Sequence, residues 1–199
     1  EVAARLQDQF EIVVITSRLS KNLPKNEIMR GFNVMRLGFG SKIDPWLFPF
    51  LAPFAVRRLK PKIVHAILES FAGLALAFCG IWAPKSKRIL TLQSTNTSLL
   101  LAPMHWTAHV ITAISSVLVR RAARFGRSDV LRIPNGILLD DIRSAHAQYA
   151  KESGRILFVG RMEPMKGIDT LLRAFAEAAK DPDFPAHAHI HDLMHVMRF

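Results

Sequence analysis

Arg155-Ile156-Leu157-Phe158-Val159-Gly160-Arg161-Met162-Glu163-Pro164-Met165-Lys166-Gly167, continuing from Ile168 through Lys180, reads as strand, turn and helix. The run Arg155–Val159 is apolar and β-prone, and it stops at Gly160. Beyond Gly167, Ile168, Leu171, Leu172, Phe175 and Ala179 recur at helical spacing and make one apolar stripe. Asp169 lies in the first turn and Lys180 in the last, as the helix dipole prefers. A strand delivered through a glycine into a helix is the repeating unit of a parallel α/β sheet.

The same alternation runs upstream. Strands are expected at Ile12–Thr16, Asn33–Leu37, Ile63–Ala66, Arg88–Leu92, Val110–Ile114 and Val130–Ile133. Helices are expected at Ser70–Trp82 and Ser116–Phe125, with helical or irregular apolar chain over Pro45–Leu59 and a polar loop over Ser17–Asn26. Continuous apolar runs such as Ile12-Val13-Val14-Ile15 fit strands covered on both faces. At Pro134-Asn135-Gly136 the pattern pauses in a strong turn signal. A polar stretch, Asp140–Gly154, follows. This punctuation predicts one α/β domain over residues 1–136 and the start of a second over 137–199. A lone strand–helix pair cannot bury its apolar faces, so the second is expected to be incomplete.

The chain has 199 residues, a formal charge of +11 and half its residues apolar, which excludes a disordered or collagen-like class. A single cysteine, Cys79, excludes a disulfide-stapled scaffold and a Cys-rich zinc site. Beginning at Glu1 inside a helical pattern, the sequence is expected to lack its true N-terminus. Ile89–Val119 carries no charged residue, yet Gln93, Asn96, Pro103, His105 and His109 argue for buried core rather than a membrane span. The tail Asp181–Phe199 holds His187, His189, His191 and His195. His191 and His195 would share a face if helical, but no Cys or close acid pair completes a metal site, so an irregular terminus and no metal are expected.

In open α/β sheets, ligands bind beyond the carboxyl ends of strands. There Gly160 permits close backbone approach, and Arg161 and Lys166 are placed to face a pyrophosphate, one as a planar fork and the other as a point charge. The segment is neither a Walker loop nor a dinucleotide GxGxxG, since the required second glycine and Ser/Thr are missing. Taken alone, the two cations also fit solvated residues flanking a turn.

Arg155–Ala178 resembles the donor-site segment of retaining glycosyltransferases of the family 4 group, which have the GT-B fold of two Rossmann-like parallel-sheet domains. Val130–Ile142 (VLRIPNGILLDDI) resembles the strand and hinge between those domains. Glu1–Thr16, Lys62–Ala66 and Ile111–Gly126 resemble further first-domain elements in the expected order. The resemblance implies an acceptor-side first domain lacking its first strand and a truncated nucleotide-sugar-binding second domain. It implies transfer of a sugar from a nucleoside-diphosphate-sugar to a saccharide or lipid-linked acceptor, with retention. By the same pattern, Arg161, Lys166 and Gly160 would hold the donor diphosphate without a metal or other cofactor. Pro134, Asn135 and Gly136 would be the hinge on which closure excludes water.

Departures from the pattern are as informative. The family's glycine-rich loop and its Glu-x7-Glu motif are not present, so residues 1–199 alone are expected to be inactive, and no residue is assigned the bond-making role. Gln93 stands where the family often has a histidine; it can hydrogen-bond a sugar hydroxyl but cannot titrate. Lys62 stands where an Asp is usual, while His65 keeps its place. His65 and Ser115 are further cleft candidates, although a strand-end histidine also serves structure and Ser115 also fits a helix N-cap. The basic clusters Arg57–Lys62, Lys85–Arg88 and Arg120–Arg124 suit an anionic membrane surface, whereas no interleaved aromatic platform marks a nucleic-acid site. A cytoplasmic protein in peripheral contact with an inner membrane is expected; a solvated face accounts for Arg120, Arg121 and Arg124 equally. The alternative is a non-catalytic nucleotide- or anion-binding module, or a truncated relic of such an enzyme. Sugar, nucleotide, acceptor and oligomeric state are not encoded in readable motifs.

Overall fold

A computed structural model of the chain describes residues 5–95, 100–137, 139–148, 155–160, 163–182, 184 and 187–192. Its contacts divide into two compact units, Glu1–Gly136 and Ile137–Phe199.

In the first unit the β-branched run becomes strand β1 (Val13–Ser17). It pairs in parallel with β3 (Phe32–Leu37), Val14 opposite Val34. The polar segment expected as loop leads into a further strand, β2 (Asn26–Met29), antiparallel to β3. Arg30 and Gly31 close that hairpin, both at positive φ, the left-handed pair that matches strand twist in a two-residue turn.

Helix α1 (Asp44–Leu59) is regular, although Pro49 and Pro53 lie inside it. Both prolines are buried, and the helix holds because its neighbours pack on that face. Phe48 and Ala52 form a small core with Ala75, against which Ile15, Leu37 and Phe71 rest. Asp44, the first residue of the helix, holds the turn before it by accepting the N–H groups of Gly40 at 2.7 Å and Ser41 at 3.2 Å.

Four parallel strands form the main sheet in the order β4 (Ile63–Ile67), β5 (Lys87–Leu92), β6 (Val110–Ala113), β7 (Leu131–Arg132). Helices α2 (Phe71–Trp82), α3 (Leu101–Thr107) and α4 (Ser116–Ala123) connect them in turn. The short α3 was not foreshadowed by the sequence pattern. Its Pro103 sits in the first turn, where a missing N–H is harmless, and Leu101, Met104 and His105 bury one face.

Because strand side chains alternate, Ala66, Leu90, Leu92, Ile111 and Ala113 share one face. They pack with Leu76, Leu101, Met104, Leu118 and Ala122 from the three helices. Full burial of Leu90 and Leu92 contributes roughly 2 kcal/mol each to holding the helices on the sheet. The expectation of strands covered on both faces needs correction. Ile63 and Ile67 point the other way and remain exposed, because α2, α3 and α4 gather on the opposite face.

The second unit is a βαβ element, β8 (Arg155–Gly160), α6 (Ile168–Ala178) and β9 (His187–Asp192), preceded by α5 (Leu139–Gln148). The polar stretch that begins at Asp140, to which the sequence pattern assigns no element, belongs to α5 as far as Gln148, and its acidic first turn favours a helix start. One reading is corrected here. The tail expected to be irregular supplies β9, held to β8 by a full parallel ladder from Arg155↔His187 to Gly160↔Asp192. His191 is therefore on a strand, not on a helix with His195, which lies outside the described residues. Leu172 on the α6 stripe stays exposed, since two strands offer too little surface to cover it.

Candidate functional site

In the second unit the candidate anion site lies at the carboxyl end of β8. Gly160 ends the strand and is buried; a Cβ there would stand 3.0 Å from Cζ of Phe158, so a larger residue would press on that ring. Arg161 lies outside the described residues. Lys166 ends the single 3-10 turn Pro164–Lys166, with its N–H donating to the Glu163 carbonyl at 2.9 Å, and its side chain is exposed. Gly167 then turns the chain at φ 72° into α6, and no side chain caps that helix. Gly160, Lys166 and the positive end of α6 thus belong to one strand–turn–helix junction, chemically suited to an anion.

In the first unit the other candidates lie on β4 and just beyond β5 and β6; His65, read from the sequence as a strand-end residue, is the third of the five residues of β4. His65 sits on the open sheet face, where its Nε2 is 2.7 Å from Thr91 Oγ1, which lies 2.8 Å from Thr112 Oγ1. This polar ladder crosses three strands. Partial burial holds the His65 pKa below its ordinary value, so the ring is neutral at neutral pH. Gln93 and Ser115 follow the ends of adjacent strands. Ser115 caps α4: its Oγ accepts the Leu118 N–H at 3.5 Å. Gln93 is held through its backbone, its N–H donating to Glu69 Oε2 at 2.9 Å.

That acceptor is a residue the sequence pattern did not single out. Leu68, at φ 87°, turns the chain after β4 so that Glu69 is fully buried. A non-glycine residue at that φ is strained. Glu69 Oε2 also accepts the Ser94 N–H at 3.2 Å, and Arg121 of α4 forms an ion pair with Glu69 while donating to the Ser94 carbonyl. Burial pushes the Arg121 pKa down. Arg121 is therefore not part of a solvated face with Arg120 and Arg124; it anchors the loop after β5. One signal was available: between Pro45 and Ser128, Glu69 is the sole acidic residue.

Two other groups are accounted for. Pro134, Asn135 and Gly136 are exposed and end the first unit. Cys79 is buried, with its thiol pKa raised to about 11 by burial, so it is an inert packing group. Among the described residues, no cluster of His, Cys, Asp or Glu could hold a metal ion, and no helix is long and apolar enough to cross a membrane.

Among solved structures the chain is similar to sucrose-phosphate synthase from Thermosynechococcus elongatus, with 14% identity and a TM-score of 0.54, the match covering 73% of this chain and 87% of that one. The fold is mixed α/β, and this solved neighbour is a GT-B glycosyltransferase. No family model and no curated protein matches the sequence. At this identity the likeness speaks for the fold, so chemistry has to be argued from the junctions above.

Proposed function

We propose that the chain is part of a retaining glycosyltransferase that moves a sugar from a nucleoside-diphosphate-sugar to a saccharide or lipid-linked acceptor. In this reading the first unit is the acceptor side and the second is part of the donor side. One observation carries it: the exposed Lys166 stands between the buried glycine that ends β8 and the uncapped start of α6. A cation and free backbone N–H groups at such a junction oppose the charge that develops on a departing nucleoside diphosphate. Arg161 would add a bidentate partner. The GT-B likeness of the fold supports the same reading. Gln93, His65 and Ser115 remain cleft candidates, of which Gln93 and His65 would offer hydrogen bonds to sugar hydroxyls.

Calorimetric titration with UDP, GDP and ADP tests the proposal. At least one should bind, and Lys166→Ala should weaken it about tenfold, the effect of losing one charge-assisted contact. Failure of all three to bind would overturn it. The second reading, a non-catalytic nucleotide- or anion-binding module, is favoured by Gln93, which cannot titrate and whose backbone serves Glu69. Incubation with labelled nucleotide-sugars and acceptors, using a longer form of the chain if one exists, separates the two. Turnover abolished by Lys166→Ala supports the enzyme; binding without turnover supports the module.

A further inference from the structure

The outward face of the α1–α2 pair is apolar, aromatic and flanked by positive charge. Trp46, Phe50 and Phe54 lie four residues apart on α1 and are 69%, 57% and 48% exposed. They do not stand singly. Trp46 meets Phe71 edge-on at 5.0 Å, Phe50 stacks on Phe78 at 5.4 Å, and Phe54 meets Trp82 at 4.7 Å. The pairings run in the same order along both helices, so the two are parallel and share one aromatic ridge. From Trp46 to Phe54 the helix advances eight residues, which makes that ridge about 12 Å long on α1. Ile81, 74% exposed, extends it on α2.

The charge is gathered at one end. The Arg57 guanidinium lies 5.9 Å from the centre of the Trp82 ring, and Arg58 and Lys60 follow it. Ser86 Oγ donates to the Pro61 carbonyl at 2.7 Å, and the Lys87 N–H donates to the Lys62 carbonyl at 2.8 Å. These bonds bring the loop bearing Lys60 and Lys62 beside the loop bearing Lys85 and Lys87. The segment Pro45–Ser128, which carries both helices and both loops, has one acidic residue, Glu69, and it is buried in its ion pair with Arg121.

We infer that this ridge is a docking surface for an anionic lipid bilayer, with the aromatic side chains entering the interfacial zone and the basic loops contacting headgroups. A single-signed charge set beside exposed Trp and Phe matches that interface in both of its properties, its negative surface potential and its amphipathic depth. A protein partner would have to be both strongly acidic and apolar along the same line. The inference is independent of the glycosyl-transfer reading.

Co-sedimentation of the 199-residue chain with vesicles of phosphatidylcholine and phosphatidylglycerol, about two to one, tests it. Capture is expected on these vesicles and not on phosphatidylcholine alone, weakening as salt rises. Brominated acyl chains should quench tryptophan fluorescence. Phe50→Ser with Phe54→Ser should reduce binding at least several-fold at unchanged net charge. Arg57→Glu with Arg58→Glu, on the exposed flank, should do so by about fivefold or more per charge, the equivalent of one basic residue at the surface. Circular dichroism verifies that each variant is folded. Three results would overturn the inference: no capture at low salt, capture unchanged in the folded phenylalanine variant, or a solution dimer that the phenylalanine substitutions dissociate.

Discussion

Glu69, just beyond the end of β4, is fully buried against Arg121 of α4, and the two together hold the Gln93–Ser94 loop through its backbone. A carboxylate in this position replaces the hydration of two N–H groups and neutralises a guanidinium that is itself only 12% exposed. The pair therefore determines where the chain goes after β5, at the sheet edge where ligands of parallel sheets bind.

Breaking one half of this pair leaves the other charge buried. Glu69→Gln is expected to lower unfolding stability by roughly 3 kcal/mol, and Glu69→Gln with Arg121→Met by clearly less than the sum of the single changes. Urea denaturation of the four proteins measures the coupling. Additive losses would show that the two side chains act separately.

Ser115 separates a capping role from a ligand role. Ser115→Ala should cost about 1 kcal/mol of stability, and Ser115→Asp should retain most of the cap. A thermal shift experiment that finds Ser115→Ala unchanged would remove the capping assignment.

Lys60 ends α1 in the left-handed conformation, φ 49° and ψ 49°, with its N–H bonded to the Val56 carbonyl at 2.9 Å. That conformation favours glycine. Lys60→Gly should raise stability by about 0.5–1 kcal/mol. A loss of stability on chemical denaturation would contradict the cap geometry.

Acid should weaken the first unit through its histidines. His105 is fully buried, its Nδ1 2.7 Å from the Leu101 carbonyl, which makes Nδ1 the protonated nitrogen. Burial holds its pKa below the ordinary value, as it does for His65, and at the exposed His109 desolvation together with the Arg88 and Lys87 charges acts in the same direction. The unfolded chain therefore binds more protons once pH falls below about 6.5, so stability is full above that value and declines below it. Denaturation midpoints between neutral pH and about pH 5 should show this decline. His105→Gln, which keeps a donor for the Leu101 carbonyl, should make it shallower; an unchanged pH dependence would assign the effect elsewhere.

Much of the fold was legible because local pattern and burial agree where apolar periodicity is strong. The runs around Val13, Ile63, Leu90, Ile111 and Phe158 became strands close to the expected bounds. α1 was harder to read because its prolines violate helix propensity and packing against α2, β1 and β3 sustains it. α3 and β9 were missed for related reasons: one is short and the other depends on a ladder with β8, thirty-two residues away in sequence. At the candidate site, Gly160 and Lys166 announced themselves through the strand–glycine–helix pattern. Glu69 and Arg121 did not, since each is a single charge whose meaning comes from the other.

By itself the sequence determined the α/β class, the alternation that sets the strands in parallel, and the glycine-flanked cations after Val159, because these follow from periodicity and from backbone freedom at fixed positions. Tertiary structure alone decided that Arg121 turns inward to Glu69 and that Trp46, Phe50 and Phe54 line up with Phe71, Phe78 and Trp82 on one exposed ridge. Those are contacts between elements, and no local pattern specifies which faces of two helices, or which two charges, will meet.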